Sequence, residues 1–107
     1  MLFEGRLPDL NLGTHQGRSC TPELESAITQ ALEASRGHYS AVVNGRFKGG
    51  YITRYYGEPS QGVHAVQLEL SQRVYLRDER SPHWDATYAQ SISDVIFGLI
   101  STGINAL

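Results

Sequence analysis

A helix start and a β-branched run lie close together in this chain, and their closeness limits the fold more than any other feature. Thr21 offers a capping hydroxyl, Pro22 suits a first helical position, and Glu23 and Glu25 favour the positive end of the helix dipole. Leu24, Ile28 and Leu32 follow at intervals of four, with Ala27 and Ala31 beside them, so one face is apolar. Arg36 falls in the last turn and Gly37 is a natural stop. The pattern predicts a helix over 22–35. Tyr39-Ser40-Ala41-Val42-Val43 comes next and reads as a short strand buried on both sides. Before the helix, Leu10-Asn11-Leu12 alternates, which places Asp9 and Asn11 on the face opposite Leu10 and Leu12. Extended piece, helix, strand is an α/β order.

The remainder keeps that class. Tyr51 to Gly62 contains Gly57, Pro59 and Gly62 and reads mostly as loop, despite Tyr51, Tyr55 and Tyr56. Val63 to Leu70 is the best strand pattern, with His64, Val66, Leu68 and Leu70 on one face and Val63, Ala65, Gln67 and Glu69 on the other. Ser81-Pro82 opens a last helix with Asp85 in its first turn. Trp84, Tyr88, Ile92, Val95, Ile96, Leu99 and Ile100 form its apolar stripe, and Gly98 and Gly103 predict fraying near its end.

Composition narrows the function classes. At 107 residues the chain has room for one domain with a modest core. A formal charge of -2 gives no electrostatic ground for a nucleic-acid or acidic-membrane partner. The single cysteine, Cys20, cannot staple a secreted scaffold. Met1 to Arg6 lacks the basic and apolar regions of a signal peptide, and no run approaches the ~20 apolar residues of a membrane span. A cytoplasmic protein is the expectation.

Asn44-Gly45-Arg46-Phe47-Lys48-Gly49-Gly50, with Arg54 downstream, is the most informative stretch. It sets cations on a glycine-rich loop at the end of a strand, where ligands of α/β sheets commonly bind, and Arg offers a planar fork for carboxylate or phosphate. A solvated basic loop is the plainer reading. No Gly-Lys-Ser/Thr follows, so a Walker loop is excluded. Glu69, between Leu68 and Leu70, reads as a buried carboxylate that must be paired or functional; the plainer reading is a salt bridge to Arg73 or a loop Arg. Gln67 beside it reads as a second polar group of a cleft or as a hydrogen-bonded edge residue. His15, His38, His64 and His83 form no metal-site spacing, and His64 reads as a satisfied core histidine. Cys20 near His15 is a weak candidate for a nucleophile pair.

Three stretches together, Leu2 through Thr14 (LFEGRLPDLNLGT), Asn44 through Arg54, and Gly62 through Arg73 (GVHAVQLELSQR), resemble the N-formylglutamate amidohydrolase family. The resemblance implies an α/β fold with a mixed-sheet layer and flanking helices, like that of zinc-dependent exopeptidases and aspartoacylases. It implies hydrolysis of N-formyl-L-glutamate to formate and L-glutamate, a late step of histidine degradation, with Zn²⁺ as cofactor. By the same resemblance Glu69 is the catalytic proton acceptor, and Arg46 and Arg54 clamp the substrate's carboxylates with Asn44 and Lys48 in support. Tyr55 stands where relatives are expected to carry a histidine. Family members are much longer, and the resemblance covers only their C-terminal part. The metal ligands are therefore expected outside this chain, which looks like a portion of a longer domain and is expected to be inactive alone. A non-catalytic module for a small dicarboxylate, or a truncated remnant, are the alternatives.

Overall fold

In the structure, a computed structural model, residues 7–35, 38–77 and 84–107 are described. The readings made on Met1 to Arg6, Arg36, Gly37, Ser81-Pro82 and His83 lie outside them. Three strands and three helices follow in the order β1 (Leu10–Gly13), α1 (Pro22–Ala34), β2 (Ala41–Val43), α2 (Tyr51–Tyr56), β3 (Gln67–Leu70) and α3 (Ala86–Asn105). Short 3₁₀ turns occupy Pro59–Gln61 and Gln72–Val74. The sheet order is β2-β1-β3. β1 and β2 run parallel with α1 as their crossover, as a parallel pair requires. β3 is antiparallel to β1, with Leu10 opposite Leu70, Asn11 opposite Glu69, Leu12 opposite Leu68 and Gly13 opposite Gln67. The result is a mixed α/β fold around a small mixed sheet.

Register divides the sheet into two faces, because directly opposed residues point the same way. Leu10 and Leu12 face the helices and are almost fully buried, together with Leu24, Ile28 and Leu32 of α1 and Ile92 and Leu99 of α3. Ala41, Val43, Leu68 and Leu70 pack against that cluster. Asn11, Gln67 and Glu69 occupy the other face. Thr21 caps α1 as expected, its hydroxyl accepting from the Leu24 amide, and α1 ends at Ala34 with Ser35 as its cap. Asp85 caps α3 by accepting from the Tyr88 amide.

Five expectations are corrected. β2 is half-buried rather than buried on both sides, because it is the outer strand of the described sheet. Tyr51–Tyr56 is helical rather than loop; Gly50 precedes it in extended conformation, and Gly57 and Pro59 only mark where it stops. Only Gln67–Leu70 of the Val63–Leu70 run joins the sheet. Val63 pairs with Glu58, and Ala65 bonds to Ser19 through both its amide and its carbonyl. α3 runs unbroken to Asn105, and Gly103 is a packing contact: a Cβ there would lie 3.5 Å from Ile28 and 3.7 Å from Leu24. Trp84 and Ile100 are exposed, so the apolar stripe of α3 is only partly core. No helix among the described residues is long and apolar enough to cross a membrane.

Candidate active site

The polar face of the sheet meets the glycine-rich loop at Gly13. A Cβ at Gly13 would come within 2.8 Å of the Gly49 nitrogen and the Lys48 carbonyl carbon, so the loop backbone lies directly on the strand. Gly49 has φ +127°, which an L side chain rarely adopts. The loop is anchored at its start by Asn44, in the left-handed region at φ 53°. Asn44 Oδ1 accepts from the amides of Thr14 (2.9 Å) and Gln16 (3.3 Å), and its Nδ2 donates to Thr14 Oγ1 (2.8 Å). Thr14 Oγ1 in turn donates to Glu25 Oε2 (2.7 Å). Asn, unlike a β-branched residue, tolerates this conformation, and here its side chain is spent on positioning the loop.

At its far end the loop connects to Glu69. The Gly50 amide donates to Gln67 Oε1 (2.6 Å), and Gln67 Nε2 donates to Glu69 Oε1 (3.2 Å). Arg54, one turn into α2, donates from Nε to the Gly50 carbonyl (3.4 Å). Arg54, Gly50, Gln67 and Glu69 thus form one hydrogen-bonded line. Arg46 is half-buried with its guanidinium 5.8 Å from the Phe47 ring centroid, and Lys48 is exposed, its carbonyl accepting from the His15 amide. Tyr51 and Tyr55 stack at 5.1 Å beside this line and are largely exposed.

Two readings of Glu69 change. Its carboxylate is exposed rather than buried, because β3 is an outer strand of the described sheet and no described element covers its polar face. Arg73 is not its partner: the guanidinium bonds Asp9 Oδ1 at 2.6 Å, Ser71 Oγ at 2.7 Å and the Leu7 carbonyl. His64 is satisfied, with Nδ1 accepting from the Thr21 amide (3.2 Å), but it is half-buried rather than a core residue. Cys20 is buried, and burial, with the Glu25 charge nearby, pushes its thiol above the ordinary range. Such a thiol is a poor nucleophile. Among the described residues no group of three His, Cys, Asp or Glu could hold a metal ion. Asn11, Thr14 and Glu25 were not singled out as functional from the sequence; an Asn alternating with leucines in β1 was the one available signal.

A sequence profile described as N-formylglutamate amidohydrolase matches residues 1–76. The chain belongs to this family. An N-formylglutamate deformylase of Pseudomonas aeruginosa (strain PAO1) is 52% identical over 102 residues, which is 94% of this chain and 38% of that protein. An N-formylglutamate deformylase of Pseudomonas putida is 54% identical over 77 residues, 72% of this chain and 28% of that protein. The chain thus spans well under half the length of these relatives. A crystal structure of an N-formylglutamate amidohydrolase from Ralstonia eutropha JMP134 has the same fold over 99% of this chain and 37% of its own, with a TM-score of 0.78 at 20% identity. The family's sequence signal and its fold therefore coincide on the segments that build the loop and β3.

Proposed function

We propose that the whole protein hydrolyses N-formyl-L-glutamate to formate and L-glutamate. The observation that carries this reading is the line from the cationic loop through Gln67 to Glu69. It joins Arg54, through the Gly50 backbone, to an exposed carboxylate on the polar sheet face, and the relatives are named as deformylases. Glu69 takes a proton from the attacking water and returns it to the leaving amine, a role typically worth 10²–10⁴ in rate. Arg46 and Arg54 hold the two carboxylates of the glutamate moiety, where a planar fork gives charge and orientation together. Lys48 adds charge at the exposed turn. Asn44 supports substrate binding indirectly, by fixing the loop on Thr14 and Gln16.

The described residues do not fit a zinc site, since no three metal-binding side chains come together. We place the Zn²⁺ ligands outside residues 1–107, and no step above is routed through the metal. The wider fold likeness to zinc-dependent exopeptidases and aspartoacylases, the place in histidine degradation and a cytoplasmic setting belong to the same proposal. Simple dicarboxylate binding without turnover is not favoured by the names of the relatives. Formate release tests the reading. The whole protein should release formate from N-formyl-L-glutamate, and residues 1–107 alone should release none with or without added Zn²⁺. An inert whole protein, or chelator-sensitive release by the 107-residue chain, would overturn the proposal or its placement of the metal.

A further inference from the structure

Asn11 is the one buried side chain among the described residues that holds an unpaired polar atom. It sits at the centre of β1, 1% exposed, directly opposite Glu69. Its Nδ2 donates to the Pro8 carbonyl at 2.9 Å and to the Glu69 carbonyl at 3.3 Å. Its Oδ1 accepts nothing from the described residues. An unmade hydrogen bond at a buried acceptor is destabilising. Leu10 and Leu12, on either side in sequence, turn to the helix face, so Asn11 is the polar-face residue at the centre of β1, and its Nδ2 ties that strand to the backbone of Glu69.

We infer that Asn11 is a positioning residue for Glu69. The carboxamide bridges the chain entering β1 and the carbonyl of Glu69, and so fixes the stretch of β3 from which the carboxylate projects. Hydrogen bonds from Gln67 and Gly50 then set that carboxylate against the loop. Asn11 acts only through Glu69 and touches no reacting atom. The inference deepens the proposed function and rests on Glu69 being the proton acceptor.

Asn11→Leu in the whole protein tests it, read by hydrogen exchange and by steady-state formate release. The variant removes the tether and the orphaned acceptor together. Amide protection of Gln67–Leu70 should fall by roughly tenfold, the loss of about one buried hydrogen bond, while β2 keeps its protection. kcat should fall by roughly tenfold while KM changes by less than about twofold, because the carboxylate is displaced and the binding side chains are not. Unchanged β3 protection or an unchanged kcat would overturn the inference. Should Asn11→Leu fail to fold, Asn11→Ser must show the same selective losses. Glu69→Gln in the whole protein separates the two layers. Full turnover there refutes the catalytic reading of Glu69, whereas the exchange result bears on Asn11 alone.

Discussion

The two faces of one small sheet are built on opposite terms. On the helix side, the side chains of Leu10 and Leu12 disappear beneath α1 and α3 and are held by apolar contact. On the loop side, Asn11, Gln67 and Glu69 are tied by directed hydrogen bonds to Pro8, Gly50 and one another. β1 serves both faces with alternate residues, so four residues carry the centre of the core and the floor of the candidate site. A non-directional force suits the first face, where volume matters most. The second face needs atoms at fixed positions, and hydrogen bonds supply them at the cost of one orphaned acceptor.

Substitutions that break one face and spare the other test this contrast. The largest effect is expected from Leu12→Ala, a fully buried truncation that should cost about 2–5 kcal/mol in denaturant unfolding. Asn44→Ala should cost less, about 1–3 kcal/mol, because it strands the Thr14 and Gln16 amides. Its distinguishing sign is local: exchange should rise over 44–50 while the leucines of β1 stay packed. Uniform loss of protection in both variants would mean that the two faces are not independent. The smallest effect concerns Cys20. Because burial raises its thiol above the ordinary value of 9.0, the unfolded chain loses that proton first as pH rises. Stability from this group is therefore fully present below pH 9.0 and declines above it. Alkylation of Cys20 at pH 8 should be slow in the folded chain and fast in denaturant; equal rates would contradict its burial.

How much of this was legible in the sequence follows the same division. α1 announced itself through Thr21-Pro22 and the four-residue spacing of leucine and isoleucine, because burying one helix face leaves a period in the chain. α2 left none. Only Thr53 of its six residues is buried, so no apolar period marks it, and the nearby Gly57 and Pro59 suggested loop. The residues of the site were legible by type and not by environment. Glu69 stood out between two leucines, yet its exposure depends on β3 lying at the edge of the sheet, which no local pattern reports. The clamp from Asn44 to Thr14 and Glu25 joins positions 30 and 11 residues apart, and hydrogen bonds across such gaps have no periodic signature.

The most direct test of the account is Glu69→Gln in the whole protein, assayed for formate released from N-formyl-L-glutamate alongside its zinc content. The account predicts that zinc is retained, that KM changes little and that turnover falls by about 10²–10⁴. Turnover equal to the unsubstituted protein would contradict it and leave Glu69 as one more hydrogen-bonded carboxylate at the edge of the sheet.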